Sequence, residues 1–148
     1  MFPEIKKLGT KDLEKFLALI RLFEQVFEMK DFKLPDEKHL KQLLDKDDFF
    51  VFVALADQTV IGGLTAYSLQ QYYSEKPLVY LYDLAIGAEF QRQGIGKELI
   101  ATLQKYSNEI GTEEIFVQAH EEDKHALDFY HSTGATAEKV VQFYYRKV

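Results

Sequence analysis

Apolar side chains recur along this chain in two alternating periods, and each switch of period marks a new element. After Thr10, placed as a capping residue, KDLEKFLALIRLFEQVFEMKD sets Leu13, Phe16, Leu17, Ile20, Phe23 and Phe27 at three- and four-residue steps, which predicts an amphipathic helix with an aromatic inner face. LPDEKHLKQLLDKDD predicts a shorter helix, with Pro35 near its first turn and Leu40, Leu43 and Leu44 as its buried stripe. β-Branched and aromatic residues then take over. FFVFVALA, the turn DQT and the extended VIGGLTAYSLQQY predict a hairpin from Phe49 to Tyr72, and after SEKP the run LVYLYDLAI predicts a strand that ends at Gly87.

The helical period returns directly after EFQRQG. Ile95, Leu99, Ile100, Leu103, Tyr106 and Ile110 share one face of a helix that stops at Gly111, and EEIFVQA reads as a further strand. DKHALDFYHSTG predicts a short helix capped by Asp123, with Ala126, Phe129 and Tyr130 inward and Gly134 at its exit; AEKVVQFYYRKV reads as a last strand. No repeat, low-complexity segment or long linker breaks the pattern, so one mixed α/β domain over residues 1–148 is expected.

Composition narrows the classes. A chain of 148 residues buries roughly 70% of the surface its unfolded form exposes, so it needs no staple, and its zero cysteines exclude a disulfide framework, a thiolate nucleophile and a cysteine-based metal site. No stretch approaches the roughly 18 apolar residues of a membrane span, and a cytoplasmic protein without membrane contact is expected. The net charge of −6 argues against nucleic acid as the main partner; it suits a cationic partner, or simply solubility.

Gly94 and Gly96 stand where the third helix begins, although glycine weakens a helix by roughly 1 kcal/mol relative to alanine. A dinucleotide fingerprint fails because Leu99 occupies its third glycine position. A P-loop fails because Gln91 replaces its first glycine and Glu98 follows Lys97. The motif that fits is QxxGxG, spelled Gln91, Arg92, Gln93, Gly94, Ile95, Gly96, between a strand and a helix. Its first-turn N–H groups offer an anion such as a pyrophosphate a partially positive seat. In HEEDKH the two histidines, His120 and His125, are five apart rather than the four of a zinc-binding HExxH helix, so no metal is expected.

QRQGIG after YDLAI, with ALDFYHSTGA about thirty residues downstream, resembles the GNAT superfamily of acetyl-CoA-dependent N-acetyltransferases, and the order of elements agrees. LVYLYDLAIGAEFQRQGIGKELI and IFVQAHEEDKHALDFYHSTGA are most similar to the gentamicin-type aminoglycoside 3-N-acetyltransferases, a likeness that reaches GGLTAYSL and the first helices. The resemblance implies an α/β GNAT fold, a central, mostly antiparallel twisted sheet of six to seven strands flanked by about four helices. It implies transfer of acetyl from acetyl-CoA to a primary amine by direct attack, with an aminoglycoside as acceptor and a homodimer as the assembly. Another small amine, a polyamine or a protein amine are alternative acceptors, and a non-catalytic acyl-CoA-binding module is the alternative outside enzymes.

Residue by residue, the resemblance puts the CoA pyrophosphate on Gln91, Arg92, Gln93, Gly94, Ile95, Gly96 and Lys97. It puts the pantetheine arm on Leu84, Ala85 and Ile86, with the Leu84 N–H as donor to the thioester carbonyl. Tyr130 matches the family tyrosine that protonates the leaving thiolate. Asp123 stands where the family often has an asparagine, so its role is divided between pantetheine contact and helix capping. Many relatives carry a Glu or His base at the position of Tyr80 or Tyr82, and neither tyrosine is a base at neutral pH. Asp83 is the nearest carboxylate, but strand alternation puts it on the face opposite Tyr80, Tyr82 and Leu84 unless a bulge re-aims it. His120, Glu121 and Glu122, past the next strand, are the other candidates, as base or for binding the acceptor's ammonium groups. Tyr67, Tyr72 and Tyr73 either pack on acceptor rings or fill a hairpin face.

Overall fold

The computed structural model describes residues 3–147. The chain divides into two compact units, Met1–Gln118 and Ala119–Val148.

The first unit is a five-stranded sheet in the order β1-β2-β3-β4-β5, covered by helices. β1 (Glu4–Lys7) pairs antiparallel with β2 (Phe49–Ala56), β2 with β3 (Thr59–Leu69), and β3 with β4 (Leu78–Ile86). β4 pairs parallel with β5 (Glu114–Val117), and the crossover between them holds a 3₁₀ turn (Ala88–Phe90) and α3 (Ile95–Glu109). With α4 (Lys124–Ser132) in the second unit, the four helices match expectation. The sheet does not: among the described residues it is mixed and has five strands rather than six or seven.

Every residue of β2 from Phe49 to Leu55 is buried, because helices cover both faces of the sheet. Phe49, Val51, Val53 and Leu55 point to α1 (Leu13–Val26) and α2 (Glu37–Leu44), where they pack with Phe16, Leu19, Phe23, Leu40 and Leu44. Phe50 and Phe52 point the other way and meet Tyr106 of α3 edge-on, with ring centroids 5.0 and 5.7 Å apart. Asp57 and Gln58 close the β2–β3 hairpin with φ of 49° and 66°, the left-handed pair of a two-residue type I′ turn.

Three expectations are corrected. β3 ends at Leu69 rather than Tyr72. α1 starts after Asp12, not Thr10, and Asp12 faces backward: its carboxylate accepts the Gly9 N–H at 2.8 Å and the Lys6 ammonium at 3.0 Å. The final strand is absent among the described residues, since 135–147 adopts no regular element; Val148 lies outside them. β1 has the opposite history: EIKK is too short and polar to announce a strand, and its pairing with β2 makes it one.

Candidate active site

β4 carries the centre of the site, and its two halves differ. Leu78 to Leu81 pair with β3 on one side and with Glu114 to Val117 of β5 on the other. Beyond the Leu81–Val117 pair the β5 ladder stops, so Asp83 to Ile86 keep only β3 as a strand partner among the described residues. That leaves a row of strand backbone at Leu84, Ala85 and Ile86 open to an added extended chain.

A bulge that re-aims Asp83, the condition set by strand alternation, is present. Thr65 pairs with Asp83 while Ala66 pairs with Leu81, so Tyr82 is the extra residue of the β4 strand. The slip puts Asp83 on the same face as Tyr80, the face of Thr65 and Tyr67 that turns toward α1, and sends Leu84 to the other. Four aromatic rings gather beside it. Tyr82 meets Tyr67 and Tyr80 edge-on at 5.7 and 5.6 Å, and Tyr80 stacks on Phe116 at 4.7 Å with 4° between planes.

Burial pushes the Asp83 carboxyl above its ordinary range, and among the described residues no basic side chain pairs with it to offset that. Burial also raises the phenols of Tyr80 and Tyr67, and the charges of Tyr82 and Asp83 add to the effect. Both tyrosines are therefore neutral donors near pH 7, and the Tyr80 hydroxyl donates to Gln118 Oε1 at 2.9 Å. Within this cluster Asp83 alone has the chemistry of a proton acceptor. Phe116 and Gln118, which fix the Tyr80 ring, escaped the sequence reading because only the parallel β4–β5 register brings Phe116 opposite Tyr80.

The start of α3 is built to leave its N–H groups bare. Gly94 is the N-cap, with φ 83° and no side-chain cap, and Arg92 two residues earlier is also left-handed at φ 64°. Positive φ at a non-glycine residue costs about 1–2 kcal/mol and tends to mark functional loops. The Gln91 side chain donates to the Ile86 carbonyl at 3.0 Å, which buckles this loop to the end of β4. The two glycines differ: Gly94 is exposed and supplies the turn, whereas Gly96 is buried in the first helical turn. Arg92, Gln93 and Lys97 are exposed around the bare helix start, and Ile95 anchors it in the core. This exposed cradle fits a pyrophosphate.

In the second unit the Asp123 carboxylate accepts the Ala126 N–H at 3.0 Å, so it caps α4. Tyr130 is half-buried on that helix, with its ring edge-on to Phe129 at 5.1 Å. His120, Glu121 and Glu122 are exposed in the turn before it, and Glu121 sits 3.9 Å from Lys139 in a solvated ion pair.

The pattern of the Acetyltransferase (GNAT) family matches residues 16–135. The chain belongs to the GNAT acetyltransferase family. It is an N-acetyltransferase that uses acetyl-CoA. Among solved structures, this GNAT enzyme is similar to an aminoglycoside acetyltransferase, meta-AAC0020 from an uncultured soil metagenomic sample, in complex with sisomicin. Identity is 54% and the TM-score 0.95, over 99% of this chain and 97% of that one. It is also similar to the aminoglycoside acetyltransferase HMB0005 from an uncultured soil metagenomic sample, at 29% identity and TM-score 0.94 over the full length of both. An aminoglycoside N(6′)-acetyltransferase type 1 of Salmonella typhimurium is 26% identical over 119 residues, 76% of this chain and 82% of that protein. The relative whose acetylated position is named thus carries 6′, not the 3-N expected from the sequence. Among the described residues no group of three or more His, Asp or Glu side chains is placed to hold a metal ion, and no helix is long and apolar enough to cross a membrane.

Proposed function

We propose that this N-acetyltransferase acetylates the 6′-amine of an aminoglycoside, as a single catalytic domain that works as a homodimer in the cytoplasm. The observation that carries the reading is the Tyr82 bulge, which turns a half-buried carboxylate, Asp83, into an aromatic cluster beside the open half of β4. The likeness to a protein crystallised with sisomicin, at 54% identity, supports the acceptor class. The 6′ position rests on the Salmonella relative.

Acetyl-CoA supplies an acetyl thioester when bound. Gly94, Gly96 and the backbone from Gln91 to Lys97 hold its pyrophosphate, with Arg92 and Lys97 adding charge, and Leu84, Ala85 and Ile86 pair with its pantetheine arm. The Leu84 N–H donates to the carbonyl oxygen as negative charge develops there. The acceptor nitrogen forms the new C–N bond while the C–S bond breaks. Asp83 takes the proton from that nitrogen and Tyr130 gives one to the departing sulfur. Tyr80 and Tyr82 pack on the acceptor's rings, and His120, Glu121 and Glu122 attract its ammonium groups. Asp123 serves by capping the helix that carries Tyr130.

The test is release of free thiol from acetyl-CoA with sisomicin, gentamicin, a polyamine and a peptide amine, followed by NMR of the product. Turnover with the aminoglycosides and acetyl on the 6′ nitrogen is expected. Acetylation at the 3 nitrogen refutes the position, and turnover confined to the polyamine or peptide refutes the acceptor.

A further inference from the structure

Donors and acceptors in the aromatic cluster of β4 do not balance. The Asp83 carboxylate accepts no hydrogen bond among the described residues, so when ionised it is an acceptor without a donor. Tyr80 holds the neighbouring position on the same face, opposite Tyr67 where Asp83 is opposite Thr65. Two residues of strand separate those positions, roughly 7 Å, which one small polar group can bridge.

Gln118 decides what Tyr80 offers such a group. The Tyr80 hydroxyl has one proton to give and gives it to Gln118 Oε1 at 2.9 Å, which leaves the lone pairs of its oxygen as acceptors. β4 and β5 run parallel with Phe116 opposite Tyr80, so Gln118, two residues further on, lies level with the Tyr82 bulge and draws the hydroxyl toward the Asp83 end of the strand. Two rings hold Tyr80 in that pose: Phe116 stacks on it at 4.7 Å, and Tyr82 meets it edge-on at 5.6 Å. Every one of these contacts lies within Met1–Gln118.

The Tyr80 oxygen and the Asp83 carboxylate thus form a pair of hydrogen-bond acceptors with no proton between them. An ammonium fits that pair, because it has three N–H donors and no lone pair to satisfy. A hydroxyl brings lone pairs of its own, for which this pair has no donor. Polar groups left unpaired in this way discriminate between ligands more strongly than a missing apolar contact does.

We infer that Gln118 is a positioning residue that sets specificity: by holding the Tyr80 hydroxyl proton, it presents the Tyr80 oxygen beside Asp83 as a second hydrogen-bond acceptor for the ammonium group of the amine substrate. Gln118 acts through Tyr80 and touches no reacting atom. The inference rests on the reading above that Asp83 faces the amine.

The experiment is steady-state kinetics by thiol release with sisomicin, a polyamine and a peptide amine, beside titration with acetyl-CoA. It compares the parent with Gln118→Leu, Gln118→Glu, Tyr80→Phe and the double variant Gln118→Leu, Tyr80→Phe. Gln118→Leu frees the proton, and is expected to raise KM for the amine about 10-fold with the acetyl-CoA Kd unchanged. Gln118→Glu keeps an oxygen for the proton and is expected within about threefold of the parent. Tyr80→Phe should raise KM about as much as Gln118→Leu, and the double variant no further, since both changes remove one contact. A KM in Gln118→Leu within about twofold of the parent overturns the inference, as do effects that multiply in the double variant. Gln118→Glu as impaired as Gln118→Leu overturns it, and so does a loss that falls equally on acetyl-CoA Kd, the mark of a merely structural role. Gln118→Met, similar in length and without the oxygen, serves where Gln118→Leu does not fold. Full kcat in Asp83→Asn overturns the Asp83 reading, and turnover confined to the polyamine or the peptide overturns the aminoglycoside; in either case KM for the amine that is turned over still decides the part of Gln118. A parent inactive with every amine overturns both.

Discussion

Replacing Gly94 by alanine tests the pyrophosphate cradle through a known cost. Gly94 sits at φ 83°, where a Cβ is penalised by about 1–2 kcal/mol. The loop relieves that strain by leaving the geometry that bares the α3 start, so the competent fraction falls about 5- to 30-fold and the apparent Kd for acetyl-CoA rises by the same factor. Gly94→Asn should lose less, because asparagine tolerates the left-handed region better than alanine. Gly111→Ala is the control. It pays a similar price at φ 77°, in open space at the other end of α3, and should lower thermal stability without moving Kd. Isothermal titration with acetyl-CoA, beside thermal melts of all three variants, reads both quantities. A Gly94→Ala protein that binds acetyl-CoA within twofold of the parent, or an asparagine variant weaker than the alanine one, refutes the argument.

Asp83→Asn should lower kcat about 100-fold or more while leaving acetyl-CoA affinity unchanged, read by thiol release and titration. Because its folded pKa is raised, Asp83 lends its stability below the unfolded carboxylate range and withdraws it as pH rises through the folded value; the asparagine variant should therefore melt higher than the parent at pH 7 and lose that advantage near pH 4. The parent's kcat/KM should fall on the acid side at a pH above the ordinary carboxylate range. Asp12 has the opposite sign: the Gly9 N–H, first, and Lys6 hold its carboxyl low against the effect of burial, so its contribution is present at neutral pH and vanishes as pH falls through the folded value. Asp12→Ala should cost about 1–3 kcal/mol at pH 7 and little in acid, measured by urea unfolding at both. Tyr130→Phe should reduce kcat well beyond any change in acetyl-CoA Kd, and full activity in that variant removes the phenol as the acid.

What was legible came from long periodic runs and from residues that must adopt special backbone. α3 follows from Ile95, Leu99 and Leu103, all buried as their spacing requires. The α4 cap follows from Asp123 three residues before Ala126. Misreadings arose where a partner that residue type alone does not reveal decides the outcome. Thr10 has the right chemistry for a cap, but Asp12 is held by Gly9 and Lys6, and the helix starts behind it. AEKVVQFYYRKV has every local attribute of a strand, yet a strand needs a neighbour, which local composition does not supply.

The register of β4 explains the spacing of its apolar positions in LVYLYDLAI. Val79 and Leu81 keep one parity, while Leu84 and Ile86 keep the other, a one-residue slip in a period-two pattern. The pairing accounts for it: Val79, Leu81, Leu84 and Ile86 lie opposite Ser68, Ala66, Leu64 and Gly62, so all four share one face although their numbers change parity. Tyr82 absorbs the slip where the β5 ladder ends. One extra residue thus lets both halves of β4 keep their apolar side on the α3 face, turns Asp83 toward the aromatic cluster, and falls where backbone becomes open to a second chain. A charged residue that interrupts an apolar strand at such a parity change is then a stronger candidate for chemistry than one within an unbroken alternation, where its side chain would face the core or solvent by default.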